Sequence, residues 1–362
     1  MIGWQNGWLQ QCNDYSAFPT QLEQLSQVVK FTSPLAGRKV RLVLSNLYGS
    51  RALIFDQVKI SPSADFKESY PQTLRYQTKI VVPAGKKVYL DPCELEVRPG
   101  QNFYVWTASS HPQSYADFAV TYAPKFINGT YARKASYLPK LHDDYQKRKG
   151  WFCLEQFLVW TTDQPKVVEI AGDSLAEMGM VAEPLFEGFM KKAPGQYTFA
   201  NTAISGSRLL ADAPKKPQLY RTYGQSLLKR EANKDFKADI TFISIGENDL
   251  LLAALTHTKL PTLASLKAGF KQLFSPHVYI TTLPKVALQP GISENEMNEI
   301  ETMRGKLNAW LLKQENVIDG AKLLLDFKTN EPNQAYSFGD GLHINLLGGQ
   351  KLATEWLNLL DA

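Results

Sequence analysis

The run Val167-Val168-Glu169-Ile170-Ala171-Gly172-Asp173-Ser174-Leu175 decides how this chain is read. Its first five residues are apolar except for one glutamate, the composition of a strand buried on both faces. Gly172 gives the backbone room to turn, and from Leu175 a helix is predicted over 175–192. Strand, tight turn and helix therefore follow one another, and the alternation continues downstream. Strands are predicted at 197–200, 240–245, 278–281 and 317–318. Helices are predicted over 218–231, 262–273 and 294–312. A last helix over 347–360 places Leu352, Trp356, Leu359 and Leu360 at helical spacing. Repeated βα units with near-continuous apolar strands imply a parallel sheet covered on both faces. Ligands on such sheets bind beyond the carboxyl ends of the strands, so chemistry is expected just after each strand.

Upstream the chain changes character near residue 163. Short β-type runs at 40–44, 52–55, 58–60, 79–82, 87–90, 102–106, 118–122 and 150–160 alternate with turn residues such as Pro83-Ala84-Gly85 and Pro99-Gly100. No long amphipathic helix is read there. This spacing predicts an antiparallel sandwich. Two domains are expected, 1–163 and 164–362, in line with 362 residues at about 150 per domain.

Composition narrows the function classes. Apolar residues make up 44% and charged residues 21%, too apolar for a disordered chain. The net charge of +5 comes from 40 basic and 35 acidic residues of mixed order. The longest basic cluster, Lys147-Arg148-Lys149, reads as a solvated loop, so no nucleic-acid partner is expected. Cys12, Cys93 and Cys153 form no CxxC pair and suggest no disulfide framework. Met1 to Trp8 lacks a basic head with an apolar run behind it. A cytoplasmic location is the expectation, or export if a leader has been removed. No stretch approaches the roughly 20 apolar residues that span a bilayer.

Four segments at strand ends or in loops carry candidate chemistry. The first is Gly172-Asp173-Ser174, whose serine can point Oγ out of the sheet; alone, it also fits a helix N-cap. The second, Asn201 to Arg208, contains Gly206, which can bring a backbone N–H close to an oxyanion or serve a plain turn. The third is Gly246-Glu247-Asn248-Asp249. The Asn248 amide suits an oxyanion hole, but Asn248 or Asp249 could instead cap a helix. The fourth is Asp340-Gly341-Leu342-His343, where a carboxylate three residues before the imidazole can accept from Nδ1–H and leave Nε2 as a base. No second His or Cys lies nearby, so no metal is expected.

Taken in order, Ser, Gly, Asn and Asp-x-x-His over residues 167–360 resemble the SGNH (GDSL-type) hydrolases. The strings 201–210 and 340–345 share the likeness. Residues 41–49 and 81–85 are similar to the β-sandwich of a bacterial branch of that family, whose members are generally exported. The resemblance implies an SGNH-type, flavodoxin-like parallel-sheet catalytic domain preceded by an antiparallel, jelly-roll-like β-sandwich. It implies Ser174 as nucleophile, His343 with Asp340 as base pair, and Ser174, Gly206 and Asn248 as oxyanion donors. It implies a serine esterase that forms an acyl-enzyme and needs no cofactor. Two positions depart from the common pattern: Ile344 stands where Pro is usual, and Leu175-Ala176-Glu177 replaces an Ile-Thr-Asp-like run. Both bear on the substrate rather than the reaction class.

The expected partner is a small-molecule or carbohydrate ester, with short acyl groups favoured because the second half has no long apolar lid. Two alternatives stay open: a lysophospholipase- or thioesterase-like acylhydrolase, and a glycan-binding protein on a residual hydrolase fold. Oligomeric state is not legible. His111, His142, His257 and His277 have no motif around them and read as structural or solvated. Asp173 is expected to order the serine loop. Glu247 reads as either substrate-facing or solvated, and Arg208 as an anion contact or a salt bridge.

Overall fold

In the computed structural model, which describes residues 3–216 and 222–361, the chain divides into two units. One comprises Met1–Val167 with Phe189–Ala200, the other Val168–Gly188 with Asn201–Ala362. The sequence reading parts the domains between 163 and 164. The units part at 167/168, and residues 189–200 group with the first. Aromatic packing accounts for that grouping: the Phe189 and Tyr197 rings lie 4.7 Å apart, and Phe199 meets Trp8 edge-on at 6.2 Å. Asn6 Nδ2 also donates to the Phe199 carbonyl at 3.0 Å.

The first unit is antiparallel. Strand Gly37–Asn46 is flanked by Lys86–Tyr89 and Leu154–Thr161, with Gly3–Gln10 beyond the latter. A second sheet runs Ile127–Ala132, Leu25–Thr32, Asn102–Ser109, Gln57–Ser61 and Tyr70–Pro71. Phe157 of the first sheet stacks on Phe31 and Phe103 of the second at 5.9 and 5.6 Å, and all three are fully buried. Two sheets sharing one aromatic interior are a β-sandwich. The basic cluster is not wholly solvated: Lys149 opens strand Lys149–Phe152 and is buried, its Nζ donating to the Lys147 carbonyl at 2.8 Å.

The second unit is α/β. Strands Lys166–Gly172, Ile240–Ser244, Val278–Thr281 and Val317–Ile318 lie side by side and parallel. The alternation of a strand sends neighbouring residues to opposite faces. Phe242 meets the buried Trp356 of helix Leu346–Asp361 at 4.9 Å. Ile243 joins the apolar layer under helices Glu247–Leu255, Leu263–Leu273 and Glu294–Leu311. Both faces are covered, as near-continuous apolar strands require.

Three local differences have identifiable causes. The helix predicted over 175–192 is two helices, Ser174–Glu177 and Ala182–Lys192, because Gly179 takes φ +84° between them. Of the helix predicted over 218–231, residues 218–221 lie outside the described residues, and the observed helix is Leu227–Asn233. Helix Glu247–Leu255 was not predicted; Gly246 precedes it, so Asn248 and Asp249 sit inside its first turn rather than capping it.

Gly172 leaves no room for a side chain. Its φ is +142°, and a Cβ built there would lie 1.9 Å from the Ser244 carbonyl oxygen. Gly172→Ala is expected to destabilise the protein by about 4 kcal/mol or more, through strain and backbone displacement together. Thermal unfolding checks this against Gly85→Ala, where φ is +68° but nothing lies within 4 Å of the added carbon. The control should cost only about 1 kcal/mol, the usual order for a non-glycine residue at positive φ.

Candidate active site

Ser174 is the first residue of its short helix, separated by Asp173 from the strand that ends at Gly172. Asp173 caps that helix: its Oδ1 accepts from Leu175 N at 3.1 Å, and its own N–H donates to the Ser244 carbonyl. The expected local role of Asp173 is thus observed. Glu177, at the other end of the same turn, accepts from Ser205 N (3.1 Å) and from Ser205 Oγ.

The Gly206 segment is tied to the same strand. Thr202 N donates to the Ile170 carbonyl at 2.9 Å and Ile204 N to the Gly172 carbonyl at 3.1 Å. Ser207 N closes a turn onto the Ile204 carbonyl, and Gly206 takes φ +70° as its third residue. A positive φ at that position is the reason for glycine there. Asn248 reaches the segment from the first turn of its helix. Its Nδ2 donates to the Ser207 carbonyl and to Asp173 Oδ2, both at 3.2 Å.

His343 and Asp340 come from the segment before the last helix. Asp340 Oδ1 accepts from Leu342 N (3.0 Å) and His343 N (2.8 Å), while Oδ2 lies 2.6 Å from His343 Nδ1. The backbone bonds fix the carboxylate, and the carboxylate fixes the ring. His343 Nε2 lies 2.7 Å from Ser174 Oγ. Burial works to raise the Asp340 carboxyl, but the His343 ring and two backbone N–H groups outweigh it and hold it well below the usual carboxylate range. Ile344, in the place where Pro is usual, is buried and bridges to Ser337.

All five residues singled out from the sequence therefore belong to the second unit. Hydrogen bonds join Ser174, His343 and Asp340 in a line. Asn248 is bonded to the turn of Gly206 and to Asp173 beside the serine.

Several supporting residues were not read from the sequence. Asp249 is buried and accepts from Leu209 N (2.6 Å) and Leu210 N (3.0 Å), fixing the chain beyond Gly206. Burial lifts its carboxyl to about 6. Arg230 donates to the Gly172 carbonyl (3.1 Å), Ser207 Oγ (3.0 Å) and the Thr202 carbonyl, joining two strand ends. Asn201 Nδ2 donates to the Ala176 carbonyl at 3.3 Å. Two further residues have defined surroundings. Glu247 is 5% exposed rather than solvated. Arg208 Nη2 donates to the Asp212 carbonyl, with Asp249 and Asp212 as its nearby charges. Of the remaining histidines, His111 Nε2 pairs with Asp56 at 3.0 Å and His257 is 77% exposed beside Glu296.

The family model of the GDSL-like lipase/acylhydrolases matches residues 168–356. No curated protein matches the chain. Among solved structures, LAE5, an α/β hydrolase enzyme from the metagenome of Lake Arreo, is 18% identical (TM-score 0.40; 55% of this chain, 96% of that one). Axe2, an acetylxylan esterase from Geobacillus stearothermophilus, is 15% identical (TM-score 0.39; 55% and 96%). A family two carbohydrate esterase from Clostridium thermocellum is 11% identical (TM-score 0.39; 100% and 99%). Among the described residues no helix is long and apolar enough to cross a membrane.

Proposed function

This chain belongs to the GDSL-like lipase/acylhydrolase family, and from that premise we propose that it is a serine esterase removing short acyl groups through an acyl-enzyme. Ser174 Oγ attacks the ester carbonyl while His343 Nε2 takes its proton. Asp340 holds the ring in the tautomer that leaves Nε2 as acceptor, and it stabilises the imidazolium that forms. The N–H groups of Ser174 and Gly206 and the Asn248 amide receive the oxyanion. His343 then protonates the departing alcohol, and water, activated by the same imidazole, releases the acid and restores Ser174.

The observation that carries this reading is the line of contacts from Ser174 Oγ through His343 to Asp340, 2.7 and 2.6 Å long. Exposure supports the proposed substrate class. The His343 and Asp340 side chains remain 21% and 45% exposed. A bulky polar alcohol such as a carbohydrate can approach a serine whose base is open to solvent. A long acyl chain gains affinity only from apolar surface it can bury.

A series of p-nitrophenyl esters tests the acyl preference. The expected result is a kcat/KM at least about tenfold higher for acetate than for octanoate, the scale on which pockets discriminate by methylene count. A kcat/KM that rises with chain length would favour a lipid acylhydrolase instead.

A further inference from the structure

Two carboxyl groups behind the nucleophile are not used by the mechanism above. Asp173 is 1% exposed and Glu247 5% exposed, and the two carboxyl groups are neighbours that act on each other's charge. Two neighbouring buried carboxylates repel, and one proton held between them relieves that repulsion and lets them share a hydrogen bond. Glu247 Oε2 is buried with no conventional partner.

The surroundings offer little other neutralisation. The charged groups that act most on Asp173 are Glu247, His343 and Asp249, and those that act most on Glu247 include Arg304, Asp249 and Asp173. Arg304 is itself committed. Its Nε and Nη2 bond the Glu301 carboxylate (3.0 and 2.5 Å), and its Nη1 bonds the Leu283 carbonyl (3.1 Å). Arg208 Nη2 is bonded to the Asp212 carbonyl.

Asp173 also touches the oxyanion machinery. Its Oδ1 is fixed by Leu175 N, and its Oδ2 accepts one N–H of Asn248, whose other acceptor is the Ser207 carbonyl. In this resting arrangement both amide hydrogens of Asn248 are engaged. An oxyanion on the substrate must compete with Asp173 Oδ2 for one of them. A doubly ionised pair would win that competition more often, since bonds to charged acceptors are roughly twice as strong as neutral ones. It would also place a second negative charge behind the developing oxyanion.

We propose that Asp173 and Glu247 hold one proton between them in the active enzyme, and that this proton keeps the Asn248 amide available to the oxyanion. Glu247 is thus a positioning residue that acts through Asp173 and Asn248. Burial lifts both carboxyls, Asp173 well above the usual carboxylate range, in agreement with a proton retained near neutrality. When the pair is titrated at higher pH, the proton passes to solvent hydroxide as water and the pair gains one negative charge. The catalytic consequence rests on the esterase reading above; the resting proton does not.

The test combines infrared spectroscopy with kinetics. Wild-type protein at neutral pH, minus Glu247→Gln, is expected to show the carbonyl stretch of a protonated carboxylic acid, fading as pH rises. Wild-type kcat for p-nitrophenyl acetate, corrected for spontaneous hydrolysis, should fall about 10- to 100-fold over the same range with little change in KM. That loss is at or below the roughly 10²- to 10³-fold that removing one oxyanion donor costs, as fits a donor weakened rather than lost. Glu247→Gln keeps a permanent donor to Asp173 and one negative charge, so its kcat should stay flat there. Two results would overturn the proposal: no acid band in the wild type during its own titration, or superimposable alkaline limbs in the two proteins. A band present in a protein without hydrolysis would sink the esterase reading and leave the shared proton standing.

Discussion

Ser174→Ala is expected to lower kcat for p-nitrophenyl acetate by about 10⁴- to 10⁶-fold while leaving the melting temperature unchanged. The reason is that, among the described residues, Ser174 Oγ bonds to His343 Nε2 alone, at 2.7 Å. Removing the oxygen leaves Asp173 capping the helix through Leu175 N, and the carboxylate still orienting His343. Chemistry is lost and structure is not. The proposed oxyanion donors remain, and in serine hydrolases such donors and binding alone retain about 10³- to 10⁴-fold over water. A small residual rate is therefore part of the expectation. Parallel kinetics and thermal melts on the two purified proteins check both halves.

Asp340→Asn should be nearly as damaging, at about 10⁴-fold in kcat. The asparagine fills the same volume, and its oxygen can keep the backbone bonds from Leu342 and His343. Its amide then faces His343 Nδ1, where the carboxylate oxygen now lies at 2.6 Å. A donor at that position selects the tautomer with the proton on Nε2, which offers Ser174 a hydrogen instead of a lone pair. The readout that separates this from a folding defect is KM, which should hold while kcat falls. The wild-type carboxylate is also protected against acid. Its folded value lies below the ordinary range, so the stabilisation it contributes is full above about pH 4 and is lost only as pH falls through that depressed value.

Much of this arrangement was legible in the sequence because apolar periodicity and turn chemistry point the same way. The strand ahead of Ser174 and the strands 240–244, 278–281 and 317–318 are short apolar runs whose burial leaves a mark on composition. The family resemblance rested on short motifs at the ends of such strands, and the match over 168–356 bears it out. What escaped has physical reasons. Strand Leu25–Thr32 carries Ser26 and Gln27, both buried, so its hydropathy is diluted. Gln27 is satisfied by bonding both the N–H and the carbonyl of Phe152 (2.8 and 2.7 Å), a partner 125 positions away. Such long-range pairing has no local signature. The same holds for Arg230, Asn201 and Asp249, whose ordinary side chains become supports of the site only where the fold delivers backbone groups to them. Glu247 is the sharpest case. A glutamate beside glycine and asparagine reads as either substrate-facing or solvated, and its burial shows only once the parallel pairing of Gly172 with Ser244 sets the strand ends side by side.

The central claim is that Ser174 is the nucleophile, and covalent trapping tests it most directly. A fluorophosphonate is attacked at phosphorus by an activated serine oxygen, which displaces fluoride and leaves a stable phosphonyl ester. The account predicts a single phosphonyl group on the peptide containing Ser174, with hydrolysis lost in proportion to labelling. Inactivation with the label on another residue, or undiminished hydrolysis after Ser174 is fully labelled, would contradict it.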